Sequence, residues 1–264
     1  MSEEADPRRG WAESFGTDAE RYDRTRPRYP DAMVDRILAE SPGPDVLDIG
    51  CGTGIAARQF RRAGCRVLGV EPDARMAEWA RRSGLEVEVE GFGVWDPSGR
   101  TFDAVVAGQA WHWVDPVVGA AKAAEVLRPG GRLAAFWNVG QPPPEVAEAF
   151  TAVYRRVMPG SPAADMWASA LLDGYEVLFA RATDGIRGAG AFGDPERWRF
   201  GWERSFTREE WLDELPTHAA YSQLPPAQLE ELLAGVGAEI DAMGGGFTVH
   251  YITVAVTAAR TSAP

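Results

Sequence analysis

Two acidic residues and three glycines carry the chemistry most legible in this chain. Val46-Leu47-Asp48-Ile49-Gly50-Cys51-Gly52-Thr53-Gly54 runs from an apolar strand into glycines at every second position, and a helical pattern starts at Ile55. Glycine lets the backbone approach a ligand and adopt positive φ without a Cβ penalty. A dinucleotide fingerprint has the spacing G-x-G-x-x-G, with the pyrophosphate on the helix N-terminus. Here the spacing is G-x-G-x-G, and Asp48 stands two residues ahead of the first glycine. A carboxylate there is a poor neighbour for pyrophosphate and a good partner for an ammonium group. Further on, Cys65–Glu71 reads as a second strand ending in Glu71. An acid at that place accepts hydrogen bonds from a ribose diol. An acid plus bare glycine amides facing an amino-acid group, with another acid on a ribose, suits S-adenosylmethionine.

These residues need strand ends to hold them. The pattern predicts strand 46–50, helix 54–63, strand 65–71, helix 73–82, strand 85–90, strand 102–108, helix 115–127 and strand 132–138. Short β-rich runs alternating with helices imply an α/β fold with a mainly parallel sheet and right-handed crossovers. Between Gly91 and Gly99 no helix is expected. Upstream, residues 11–40 look helical and are broken in two by Pro27 and Pro30, with Asp31 able to cap the second helix. After Asn138 the composition shifts. Gln141-Pro142-Pro143-Pro144 is a stiff exit, 145–158 is helical, and 159–198 shows no regular strand pattern. Trp202–Phe206 reads as a strand returning to the sheet. Thr207 and Glu210 have capping-box spacing. Pro226–Ala242 is an amphipathic helix, and Phe247–Thr257 a last strand.

Asp48–Gly54 resembles the first motif of the class I S-adenosylmethionine (SAM)-dependent methyltransferases, and Gly69-Val70-Glu71-Pro72-Asp73 is similar to their strand-2 acid. Thr101–Trp113 and Leu127–Leu133 resemble their strand-4 region and the turn into strand 5. Together these cover roughly residues 44–138. Ala110-Trp111-His112-Trp113 and Tyr22-Asp23-Arg24-Thr25-Arg26-Pro27-Arg28-Tyr29-Pro30 are closer to the bacterial-type methyltransferase-11/UbiE-like group of small-molecule enzymes. The resemblance implies a Rossmann-like, seven-stranded sheet with helices on both faces and a cap inserted after strand 5. It divides the chain into an N-terminal helical segment covering the cofactor (1–40), a SAM-binding core (41–140), a cap or substrate insertion (141–198) and a C-terminal completion of the core (199–264). Gly93 stands where relatives often carry an acid, which leaves Phe92 as the expected adenine neighbour.

The expected cofactor contacts begin with Asp48, Gly50, Cys51, Gly52 and Gly54 at the first turn and Glu71 and Pro72 at the second. Phe92 joins them, with Gln109 and Trp111 after strand 4 and Tyr22 and Arg26 as a clamp. Tyr29, His112, Trp113 and Tyr221 are the expected acceptor contacts. His112 and His218 are the candidate general bases, since an unperturbed imidazole titrates near neutrality; the other reading of His112, and the favoured one, is a hydrogen-bonded, partly buried ring. The composition of the cap suggests an aromatic-lined, fairly apolar pocket, although its tryptophans (Trp167, Trp198, Trp202) read as core before pocket. The implied activity is methyl transfer to a small-molecule metabolite, at oxygen before nitrogen or carbon, governed by proximity. The alternatives are a SAM-binding regulatory or assembly protein without transferase activity and, less well matched by the spacing, a nucleotide oxidoreductase.

Composition narrows the classes. Of the 264 residues, 39 are acidic and 27 basic, a net charge of −12 that argues against nucleic acid as the substrate. Cys51 and Cys65 fit a reducing cytoplasm without a disulfide framework. With His112, His218 and His250 they show no metal-ligand spacing. The acidic start lacks the pattern of a signal peptide, and no apolar run suits a membrane span. A cytoplasmic location is expected. The sequence leaves the oligomeric state open.

Overall fold

A computed structural model describes residues 15–161, 171–218, 221 and 224–261. The strands are β1 (Asp45–Ile49), β2 (Arg66–Val70), β3 (Glu86–Glu88), β4 (Phe102–Gly108), β5 (Leu127–Gln141), β6 (Glu196–Thr207) and β7 (Gly246–Ala259). The helices are α1 (Ala19–Thr25), α2 (Asp31–Ala39), α3 (Ile55–Arg62), α4 (Ala74–Arg82), α5 (Pro116–Val126), α6 (Pro144–Val157), α7 (Leu171–Ala189), α8 (Arg208–Glu214) and α9 (Pro226–Ala242). The sheet has seven strands in the order β3-β2-β1-β4-β5-β7-β6. The pairs from β3 through β5 are parallel, with Asp48 beside Gly69 on one side and Val106 on the other. This is the expected α/β, mainly parallel, Rossmann-like sheet.

The chain divides into two compact units. One comprises Pro27–Asn138, Glu176–Phe200 and the chain from Thr253 onward. Its core is the inner sheet and α2: Met33, Val34 and Ile37, spaced for one helix face, pack with Val46, Phe60, Ala104 and Phe136. β1 and β4 are buried along almost their whole length, as strands covered on both faces should be. The other unit comprises the chain up to Arg26, Val139–Tyr175 and Gly201–Ile252. Its core joins α6, α8 and α9 through Phe150, Tyr154, Trp211, Leu232 and Ile240.

Thr207 and Glu210 form both hydrogen bonds of the capping box, and α9 has the expected bounds. Asp31 is the first helical residue rather than the cap. Pro30 takes the cap position, and no side chain caps α2. β5 starts at Leu127, earlier than the periodicity indicates, with an irregular register opposite Phe102 to Ala104. Pro129 and two glycines disguise that first stretch as a turn. The 159–198 segment contains a 19-residue helix, α7. Gly174, Gly185 and Gly188 obscure its periodicity, and Gly185 packs against Pro116 at the start of α5. Trp167 lies outside the described residues.

Candidate cofactor and acceptor site

Strand order reverses between β1 and β4: β2 and β3 lie to one side, β5 to the other. A crevice opens beyond the carboxyl ends of strands at such a point, and ligands bind there in open α/β sheets. Asp48 is the penultimate residue of β1, and Gln109 follows β4 directly. Their turns touch: a Cβ on Gly50 would lie 2.6 Å from Cβ of Ala110.

Asp48 is 1% exposed, and neither of its carboxylate oxygens has a well-formed hydrogen bond among the described residues. Burial pushes its carboxyl up to about 8, only partly offset by the backbone N–H of Ala57, with the Glu71 charge adding to the rise. An uncompensated buried acid is costly and marks a functional site when it sits in a cleft.

The glycines differ in what they do. Gly50, Gly52 and Gly54 all have positive φ, at 60°, 56° and 86°. A Cβ on Gly54 would meet Leu85 at 2.2 Å, so Gly54 serves packing at the start of α3. A Cβ on Gly52 meets nothing within 4 Å. That open flank is where a ligand can come against bare backbone. The amides themselves are not bare, contrary to expectation. Gly50 N–H donates to Val70 O at 2.8 Å, Gly54 N–H to Cys51 O at 2.8 Å, and Gly52 N–H to Glu71 Oε2 at 2.8 Å. The turn therefore offers an acid and backbone carbonyls to a cationic group. Cys51 turns its Sγ toward β2, in the space a Cβ on Gly69 would fill, so only its backbone borders the turn.

Glu71 is buried, and its Oε1 accepts from Asp73 N–H at 2.9 Å. Burial raises its carboxyl to about 7 against those two backbone donors. Each oxygen keeps a lone pair for a further donor. Pro72 beside it is exposed. Phe92 is buried and stacks on Trp95 with ring centroids 6.2 Å apart, while Gly91 and Gly93 have open space beside them.

At the end of β4, Gln109 holds a left-handed φ of 55°, an uncommon state for a non-glycine residue. Its N–H donates to Phe136 O at 2.8 Å and its Nε2 to Asn138 O at 3.2 Å. Trp111–Trp113 then forms a short 3-10 turn, closed by Asp115 as the cap of α5. Trp111 is buried, and its Nε1–H has no acceptor among the described residues. Trp113 is 37% exposed and lies against His112 at 4.7 Å. Trp137 donates its Nε1–H to His112 Nδ1 at 3.3 Å. Indole nitrogen only donates, so neutral His112 carries its proton on Nε2. Burial, then the Arg181 charge, lowers its pKa to about 4. At neutral pH His112 is a hydrogen-bond donor with no spare lone pair, which bears against the base role. Tyr29 lies in the core, edge-on to Phe136 at 4.7 Å, with its hydroxyl where a Cβ on Gly108 would stand.

The remaining expected residues belong to the other unit. Arg26 stacks over Tyr22 at 4.9 Å and donates to Thr217 O at 2.9 Å. Its Nη1 lies 3.3 Å from His218 Nδ1, and a guanidinium only donates, so His218 is also the Nε2–H tautomer. Nε2 faces the buried Glu214, at 3.6 Å. Burial and Arg26 lower the His218 pKa against the pull of Glu214. Tyr221 is fully buried, with its hydroxyl 2.6 Å from that of Tyr154.

Sequence reasoning missed Trp137, Arg181 and Glu214. Trp137 sits in an apolar strand with no signal of its polar task, and Arg181 lies in the helix whose periodicity was hidden. Among the described residues no group of histidines, cysteines and acids could hold a metal, and no helix is long and apolar enough to cross a membrane.

An α/β sheet with an acid-bearing glycine turn at its switch point defines a class of protein that binds a nucleoside-linked cofactor. The pattern of a methyltransferase domain matches residues 22–155, half of the chain. The chain belongs to that family, the class I SAM-dependent methyltransferases. An uncharacterized methyltransferase of Mycobacterium tuberculosis is 38% identical over 134 residues, covering 50% of this chain and 54% of that protein. A malonyl-[acyl-carrier protein] O-methyltransferase of Enterobacter lignolyticus is 30% identical over 151 residues, covering 54% and 59%. The match thus spans little more than half the length of these curated relatives. A candidate type II methyltransferase from Anaeromyxobacter dehalogenans shares the fold with a TM-score of 0.63 at 24% identity, covering 90% of this chain and 99% of that one.

Proposed function

We propose that the protein transfers a methyl group from SAM to a small organic acceptor, at oxygen before nitrogen or carbon. The observation that carries this reading is the buried Asp48 carboxylate at the switch point, without a well-formed hydrogen bond among the described residues, beside the open flank of Gly52. These residues fit the cofactor: Asp48 and the turn carbonyls suit its ammonium group, and Glu71 suits its ribose hydroxyls. When bound, SAM supplies a methyl carbon already activated by its sulfonium.

The chain's own residues then bind and orient. Asp48 gives up its proton to meet an ammonium charge. Glu71 keeps its two backbone donors and accepts further hydrogen bonds. Gln109, held in its left-handed conformation by Phe136 and Asn138, fixes the backbone after β4; such strain is retained where it serves a site. Phe92, Pro72 and Trp111 are assigned to the cofactor, and Trp113 and Tyr29 to the acceptor. Gly50, Cys51 and Gly54 shape the turn. No covalent nucleophile is needed, and holding the acceptor in line with the methyl carbon supplies much of the rate. His112, with Nδ1 occupied, enters as a donor. Tyr22, Arg26, Tyr221 and His218 stay in the proposal as a clamp and acceptor contacts, with 1–40 as cover and 141–198 as cap.

Calorimetry with SAM, S-adenosylhomocysteine and NAD, followed by a methyl-transfer assay on a panel of small acids and phenols, tests this reading. Binding of the first two and not of NAD is expected. Indifference to both adenosyl compounds would overturn it.

A further inference from the structure

We propose that Arg181 and His112 form a binding site for a carboxylate group of the methyl acceptor, an inference that rests on the methyltransferase reading above. Both residues line one recess in the unit that also holds Asp48 and Glu71. The recess is built by close helix packing. Gly185 lets α7 settle on the first turn of α5, since a Cβ there would lie 2.3 Å from Pro116 O. One turn earlier on α7, Arg181 faces the recess, together with Leu178, while Trp111, His112, Val114 and Pro116 line it from the β4–α5 connection.

The polar groups here are of one kind. Arg181 is exposed and has no ion pair or hydrogen bond among the described residues. His112 spends Nδ1 on Trp137, which leaves its Nε2–H as a donor without an acceptor among the described residues. Among the described residues no acidic side chain lines the recess. A forked guanidinium and an imidazole N–H, set among apolar walls, suit a planar anion that takes two hydrogen bonds from the fork. The space is about 10 Å³, enough for one water-sized group. That is room for one carboxylate oxygen, with the rest of the group and of the acceptor outside it. The site lies beside the cofactor floor, because Trp111 follows Ala110, the residue against which Gly50 packs.

The test uses the full chain saturated with S-adenosylhomocysteine and titrated calorimetrically with benzoate, its neutral isostere benzamide, and inorganic phosphate. Benzoate is expected to bind about tenfold or more tighter than benzamide, as a charge-assisted fork requires. Arg181→Gln should bring benzoate down to the benzamide level, with S-adenosylhomocysteine affinity unchanged. Arg181→Lys should recover part of the loss, since it restores the charge without the fork. Equal binding of benzoate and benzamide, no benzoate binding, or an unaltered Arg181→Gln variant overturns the site. Phosphate binding more tightly than benzoate overturns the assignment to carboxylate. Loss of S-adenosylhomocysteine binding in the unaltered protein would instead count against the methyltransferase reading, so the two failures are distinct.

Discussion

Trp137 donates its indole N–H to Nδ1 of His112 across 3.3 Å, and this one bond decides which imidazole nitrogen carries the proton. The side chain most readily taken for a base is thereby a neutral donor, held so by burial and by the Arg181 charge. In ¹⁵N spectra, His112 is expected as the Nε2–H tautomer, unchanged from about pH 5.5 to 8, because its pKa near 4 lies below that window. Trp137→Phe should release Nδ1 and give a mixture of tautomers. A His112 midpoint near 6.5 in the unaltered protein would falsify the assignment.

Ligand binding should release protons. The Asp48 carboxyl is raised to about 8 and that of Glu71 to about 7, so both are substantially protonated at neutral pH. An ammonium group favours the ionised Asp48 and lowers its pKa. Binding enthalpies of SAM at pH 7 should therefore vary with buffer ionisation heat, and affinity should rise from pH 6 to a maximum near pH 8, where an α-amino group begins to lose its charge. Buffer-independent enthalpies would exclude ionisation of Asp48 on binding.

The same shift has a consequence for stability. An acid raised in the folded state favours folding below its unfolded value, and the benefit is lost as pH rises through the folded value. Asp48→Asn should thus gain in melting temperature over the unaltered protein as pH climbs from 5 to 9. The corresponding stability difference at the upper end should be on the order of a few kcal/mol, while SAM binding is lost. A pH-independent difference in melting would contradict this.

Gly50 and Gly52 separate stability from binding. Both hold a left-handed φ, costing roughly 1–2 kcal/mol for an alanine. Gly50→Ala adds a clash with Ala110, and overpacking costs about another 1–3 kcal/mol. Gly52→Ala meets no atom of the described residues within 4 Å, so its methyl is expected to enter the space proposed for the ligand. Thermal melts should show Gly50→Ala as the less stable variant, and calorimetry should show Gly52→Ala losing SAM with a smaller fall in melting temperature.

Glu71→Gln keeps an acceptor for one backbone N–H but loses the charge. SAM affinity should fall by about 1.5–3 kcal/mol, the range of a hydrogen bond to a charged group. Unchanged affinity would remove Glu71 from the ribose contact.

The β1 and β4 strands, the glycine turn, Asp48 and Glu71 were legible in the sequence because each is a local pattern. A strand buried on both faces must be a continuous apolar run, and a turn with positive φ selects glycine. The capping box of α8 is similarly contained in four residues. The start of β5 was hidden because Pro129, Gly130 and Gly131 look like a turn, and α7 because Gly185 and Gly188 answer to a neighbouring helix. Tertiary structure alone decided that the glycine amides are consumed by Val70, Cys51 and Glu71, that Cys51 points into β2, and that His112 donates rather than accepts. Each of those outcomes depends on which distant group stands at hydrogen-bond distance. Spacing along a chain fixes what a residue is able to do, whereas the partner brought to it across the fold fixes its proton and its charge.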